Sequence, residues 1–445
     1  MAKKQQWSSK IGFILAAAGS AIGLGAIWKF PYMAGANGGG VFFLLFIIFT
    51  ILIGTPILLA EFVIGRRAGA DAVTSYKKLA PGSAWHLIGY LGTIVSFIIL
   101  SFYSVVGGWI LSYLARSFTG ALSGKTQEQY GAMFESIIAN PWEILFTQAL
   151  FIVLTVMVVQ GGIQKGIERA SRYMMPSLFI LFLILMARSL TLDGAMEGVR
   201  FLLVPDWNYL TGETALLALG QAFFSLSVGL SVMVTYASYL SKEDSMPRSA
   251  ISVSGLNIFI SLLAGLVIFP SVYALGFQPD QGPGIAFVVL PAVFNEIAFG
   301  GIFLTVFLVL LLFATLTSAF SILEIGVAAL TKGNQKKRMP YTWLMGIMVF
   351  IAGIPSALSF GVFGDFILFD RNFFDFADFI TSSFGLPIGA LFISIFVSYR
   401  LKRAEVWNEI QQGSSTSRGL FNLWISILRY IVPIAIIFVF ISKFI

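Results

Sequence analysis

Cysteine is absent from the 445 residues and histidine occurs once, at His86. Disulfide frameworks and thiolate metal sites are therefore excluded, and one imidazole cannot build a multi-histidine centre. Charge is scarce as well: Asp, Glu, Lys and Arg make up 11% of the chain, against about 25% in soluble globular proteins. No Gly-x-x-x-x-Gly-Lys-Ser/Thr phosphate loop occurs, so nucleotide-driven chemistry has no cradle. His86 and the scattered acids do not supply the cluster of acid, base or metal ligands that a membrane-embedded enzyme needs. At the start of an apolar run, His86 reads as an interfacial residue.

What the chain has is apolar length. Hydrophobic residues make up 58% of it, and runs near twenty residues recur, each able to cross roughly 30 Å of hydrocarbon as a helix. Barrel strands would be half as long and alternating. The pattern predicts an all-α membrane protein with eleven spans: Ile11 to Ala34, Val41 to Ile64, Leu87 to Ala115, Trp142 to Val159, Ser171 to Leu190, Ala215 to Leu240, Ile251 to Leu275, Ile302 to Leu330, Tyr341 to Phe360, Phe374 to Tyr399 and Phe421 to Ile441.

The net charge of +7 does not point to nucleic acid, because no polar domain presents a clustered basic face. Its meaning is topological. With a cytoplasmic N-terminus, the inside segments hold twenty of the 28 basic residues, among them Arg66, Arg67, Lys77, Lys78, Lys336, Lys337, Arg338 and Arg400. That asymmetry selects this orientation, in a cell (inner or plasma) membrane, with the C-terminus after Lys443 outside. Lys3, Lys4 and Lys10 ahead of the first run imitate a secretory signal, but no convincing cleavage site follows and the segment is read as retained.

Two spans are interrupted alike, five spans apart. The first contains Ala18-Gly19-Ser20-Ala21-Ile22-Gly23-Leu24-Gly25, too rich in glycine for a comfortable helix interior, with Pro31 soon after. The sixth contains Ser225-Leu226-Ser227-Val228-Gly229-Leu230-Ser231. Five being odd, the second copy runs through the membrane in the opposite sense. Paired broken helices in inverted halves point to a secondary transporter with its site at the breaks near the midplane. Glycines that merely let helices pack closely are the plainer alternative. A channel would more naturally show repeated pore loops.

The residues around these breaks resemble the neurotransmitter:sodium symporter family. Trp7, the run Gly19 to Gly25, Lys29-Phe30-Pro31-Tyr32 and Asn37-Gly38-Gly39-Gly40 are similar to its first two helices. Gln221-Ala222-Phe223-Phe224-Ser225-Leu226-Ser227 and Thr235-Tyr236-Ala237-Ser238-Tyr239 look like its sixth, and Ala314-Thr315-Leu316-Thr317-Ser318 like its eighth. Within the family the likeness is to the bacterial leucine-transporter type, and to members that carry several hydrophobic amino acids and end after eleven helices. The resemblance implies one transporter domain over residues 1–445: a first repeat at 10–190, a second at 214–400, and an additional helix at 420–443.

It also implies two Na+ sites. One would use backbone oxygens of Gly19, Ile22 and Ala314 with the hydroxyls of Thr317 and Ser318. The other would use Ala21, Ser225 and Asn257, but the family's asparagine in the first span is here Ala26, which offers no ligand. For the substrate, the amides at Leu24 and Gly25 and the Tyr103 hydroxyl would receive a carboxylate. Carbonyls near Ala21 and Phe224, with Ser225 and Ser227 close by, would take the ammonium. Gly23 stands where monoamine carriers have an aspartate, so the substrate should bring its own carboxylate. Ile99, Phe224, Leu230, Phe320 and Ile322 would line an apolar side-chain pocket, implying Na+-coupled import of aliphatic and aromatic L-amino acids.

The remaining implications concern gates and anions. Lys29 and Asp378 match the outer gate pair, and Lys4, Trp7 and Tyr239 the inner one, whose usual aspartate is here Lys332; Asp244 is a candidate replacement. Glu61 and Glu324 read as acceptors for backbone amides freed by the breaks. Gln221, Ser225, Asn257 and Ser261 would suit Cl-, although a tyrosine expected beside them is Phe46, and chloride stays open. Gly166 and Pro176 mark a segment of the fifth span that either unwinds or simply kinks.

Overall fold

The computed structural model describes residues 5–277 and 282–442 and is helical throughout; among these residues there is no strand, only isolated bridges such as Gly39 with Pro205. Apolar helices long enough to span a bilayer are Gly40–Ala68, His86–Phe118, Pro141–Val159, Ile163–Leu190, Met246–Ala274, Gly300–Thr331, Gln335–Ala357, Phe373–Arg400 and Arg418–Phe438. Large apolar side chains such as Trp142, Ile302 and Ile434 are exposed around the bundle, as expected where the solvent is lipid rather than water.

The first and sixth expected spans differ from the rest. Lys10–Ala21 and Gly25–Ala36 form one span bent by 50° at a three-residue break. Ser9 caps its start, accepting from the Gly12 amide, and the helix then runs through Gly19 and Ser20 to Ala21. The break is thus shorter than the glycine-rich stretch suggests, because alanines on either side hold the helix. The sixth span is two pieces, Gly212–Leu226 and Val232–Ala237. Neither piece is long enough to cross alone, which is why the eleven expected spans appear as ten apolar crossings and one split pair.

Serine as well as glycine makes the second break. Ser227 and Ser231 both lie in the left-handed region, with φ of 53° and 60°, and Gly229 between them has φ of 88°. A Cβ at Gly229 would sit 2.3 Å from the Leu386 carbonyl oxygen, so both the conformation and the approach of the tenth span demand glycine. Amides freed here need acceptors in a water-poor interior. Glu61, fully buried on the second span, provides them: its carboxylate accepts from Gly229 N–H at 2.7 Å and Met233 N–H at 3.2 Å.

Candidate functional site

The two breaks face each other across a small cavity. Its walls are Ser20, Ala21, Gly23, Leu24 and Gly25 from the first span, Phe224, Ser227 and Leu230 from the sixth, and Ile99, Tyr103, Ser318, Ile322 and Leu386 from others. None of these side chains is a carboxylate or a cation. The Ser227 hydroxyl donates to the Ser20 carbonyl at 3.1 Å, joining one break to the other. Leu24 N–H donates to the Tyr103 hydroxyl at 3.3 Å. A Cβ on Gly23 would come within 2.1 Å of Ser318 Oγ and 2.8 Å of Tyr103 Oη, so only hydrogen fits.

Phe320 is a correction. It is buried but does not line the cavity. Ser318 and Ile322, four residues apart, share a helix face, whereas Phe320 lies between them on the opposite side. Ser225 also sits behind the wall, its hydroxyl donating to Asn257 Oδ1 at 3.1 Å.

Two clusters of neutral oxygens flank the cavity. In one, Thr317 Oγ1 lies 3.0 Å from the carbonyl oxygens of Gly19 and Ala314, and Ser318 Oγ lies 3.1 Å from Gly19 O and 3.0 Å from Ser20 O. In the other, Asn257 Nδ2 donates to Ala21 O at 3.1 Å and Ser225 O at 3.0 Å. The first set is of hard, uncharged oxygens suited to a small monovalent cation; the second offers the carbonyl oxygens of Ala21 and Ser225, with the Asn257 amide nitrogen turned toward them. Ala26 is fully buried and has no side-chain oxygen to offer.

The four residues considered for chloride spend their donors internally. Ser261 Oγ bonds Asn257 O at 3.0 Å within its own helix, Gln221 Nε2 bonds Gly25 O at 2.6 Å, and Ser225 and Asn257 are engaged as described. Phe46 packs against Phe30 at 5.1 Å between ring centroids.

Towards one face, Lys29 Nζ is 3.7 Å from Asp378 Oδ2 and 4.3 Å above the Phe224 ring. A wider vestibule of about 470 Å³ opens beyond this pair and is bordered by Tyr32, Arg371 and Asp375. At the opposite face, Trp7 donates its indole N–H to Tyr236 O at 2.9 Å and its amide to Tyr239 O at 3.2 Å. Lys4 lies outside the described residues. Glu324 does not take backbone amides as expected. Its carboxylate accepts from the Tyr239 hydroxyl at 3.0 Å and pairs with buried Arg338. Arg338 in turn reaches Val159 O at 2.7 Å, covering the C-terminal end of the fourth span. Asp244 does not replace the acid missing at Lys332: its main-chain oxygen accepts from Arg66 at 2.6 Å, and its carboxylate forms no ion pair among the described residues. Burial raises the Asp244 pKa above the usual carboxylate range.

Sequence reasoning also missed how the N-terminal segment is held. Ser8 N–H donates to Glu168 Oε2 at 2.8 Å and Ile163 N–H donates to Gln5 Oε1 at 3.2 Å. Both bonds fall on the wide turn Ile163–Glu168 that contains Gly166, Glu168 accepting and Ile163 donating, while Pro176 lies inside the regular helix beyond it. His86 opens its span with Nδ1 at 2.9 Å from Ser83 O.

The family model described as the sodium:neurotransmitter symporter family matches residues 4–132 and 130–445. The chain is 56% identical to the uncharacterized sodium-dependent transporter YhdH of Bacillus subtilis (strain 168), over 99% of this chain and 98% of that one. It is 36% identical to an uncharacterized sodium-dependent transporter of Haemophilus influenzae (strain ATCC 51907 / DSM 11121 / KW20 / Rd), with the same coverage. The crystal structure of MhsT in complex with L-phenylalanine superimposes with a TM-score of 0.92 at 46% identity, over 99% of this chain and 100% of that one. With matches spanning its whole length, the chain belongs to the sodium:neurotransmitter symporter family, a sodium-dependent membrane transporter and not an enzyme.

Proposed function

We propose that the chain imports hydrophobic L-amino acids together with Na+ by alternating access. The observation that carries this reading is the cavity itself: two unwound backbones meet around a space with no charged side chain. A zwitterion shedding water needs polar partners at both ends. The Leu24 and Gly25 amides with Tyr103 suit a carboxylate, helped by the start of the Gly25–Ala36 half-helix. The carbonyls of Ala21 and Phe224 with Ser227 suit an ammonium. The remaining wall, Ile99, Phe224, Leu230 and Ile322, strands any charged side chain and favours aliphatic or aromatic ones. The likeness to MhsT, solved with L-phenylalanine, supports the same class.

Na+ is the co-substrate. Gly19, Ile22, Ala314, Thr317 and Ser318 form the better-furnished position, and Ala21, Ser225 and Asn257 the poorer one. Lys29 with Asp378 closes the outer path. Tyr239, Glu324 and Arg338 with Trp7 close the inner path. We read residues 10–190 and 214–400 as inverted repeats, with the N-terminus cytoplasmic. The test is uptake of radiolabelled leucine, phenylalanine, tryptophan, lysine and glutamate into vesicles holding the purified chain. Uptake of the first three, dependent on an inward Na+ gradient and equal with gluconate in place of chloride, is expected. Preference for lysine or glutamate, or uptake indifferent to Na+, would overturn the reading.

A further inference from the structure

An apolar groove of about 420 Å³ lies on the outer surface, far from the central cavity, between the start of the third span and the tenth. Ala84, Trp85, Leu87, Ile88, Leu91 and Phe392 line it, with almost no polar surface. Leu87 and Phe392 are 58% and 42% exposed, and no side chain among the described residues fills the space. Phe396, one turn beyond Phe392, packs against Tyr76 at 5.0 Å and Trp85 at 5.3 Å between ring centroids.

One cation comes from a neighbouring helix and one from the tenth span itself. Lys77, on the helix Ala72–Leu79, holds its ammonium 5.6 Å from the centre of the Tyr90 ring, and Tyr90 shares a helix face with Leu87. Arg400 lies two turns past Phe392 on the tenth span and is exposed. Neither Lys77 nor Arg400 forms an ion pair among the described residues. Lys402, by contrast, approaches Glu405 at 3.9 Å. Cations without an ion-pair partner on elements beside an unfilled apolar furrow are complementary to a molecule with an anionic head and a hydrocarbon tail.

We propose that this groove binds an anionic glycerophospholipid, one acyl chain lying along Trp85, Leu87 and Phe392 and the phosphate over Lys77 and Arg400. The site commits one lipid to the junction of the third and tenth spans and is independent of the substrate reading. The test takes the purified full chain, exchanges it against micelles with equal phosphatidylglycerol and phosphatidylcholine, and counts retained lipid by native mass spectrometry. Phosphatidylglycerol should be retained in preference. The preference should fall about fivefold or more in Lys77→Ser/Arg400→Ser, since each basic residue near a membrane surface attracts anionic lipid by about that factor. Leu87→Trp, which fills the furrow and keeps both cations, should also lose the retained lipid. Equal retention of the two lipids by the unaltered chain overturns the proposal without recourse to any variant. A preference that survives either substitution overturns it as well.

Discussion

An aspartate at position 23 would place a carboxylate against Ser318 and Tyr103, where a Cβ already has only 2.1 Å and 2.8 Å of room. It would also face the carboxylate of the proposed amino-acid substrate. An unpaired buried charge costs about 3 kcal/mol or more, so Gly23→Asp should weaken amino-acid binding by at least about 100-fold. Scintillation-proximity binding with leucine checks this, and near-normal affinity would remove Gly23 from the substrate's carboxylate end. Three residues on, Ala26 has no side-chain oxygen for the sodium position proposed at Ala21, Ser225 and Asn257. Ala26→Asn would add a ligand worth about 1.5 kcal/mol to a charged partner, lowering the half-saturating Na+ concentration by about tenfold. An unchanged sodium dependence in a folded variant would place position 26 away from any ion.

At the scale of the helix, the sixth span exists as two pieces only because Glu61 answers the amides of Gly229 and Met233. Glu61→Ala leaves two buried donors unsatisfied, each costing about 1–3 kcal/mol. Glu61→Gln keeps one acceptor oxygen and should lose about half as much. Thermal unfolding in detergent should therefore rank native, Gln and Ala in descending order, and equal losses for the two variants would deny Glu61 this role. The breaks were legible in the sequence because glycine and serine in an apolar run have no other comfortable explanation. The family motifs carried the cavity residues with them. Phe320 was misplaced because a list of pocket residues ignores which helix face each one occupies. The Glu324–Arg338 pair was missed because Arg338 sits in a loop rich in basic residues, where its charge reads as a topological signal. The docking of Gln5 and Ser8 on residues 163 and 168 joins segments that no local pattern links.

For the whole molecule, the proposed ion and substrate positions share backbone, so the proposal implies that ion and substrate assist each other. Ala21 contributes to the cavity wall and its carbonyl oxygen to an oxygen cluster, while Ser20 O accepts from both Ser227 of the second break and Ser318 of the other cluster. A cation drawing these carbonyls together fixes the same backbone that presents amides to the substrate. The free energy of that assistance belongs to the pair of ligands, so the factor by which Na+ tightens amino-acid binding must equal the factor by which the amino acid tightens Na+ binding. Coupling of this kind is typically about 1–3 kcal/mol, or about 5- to 150-fold. Equilibrium binding of phenylalanine over a range of Na+ concentrations, and of Na+ over a range of phenylalanine, should return one factor in that range, with K+ ineffective. Factors near one in both directions would mean that the two ligands do not share the broken helices, and the transport cycle would then need a different point of coupling.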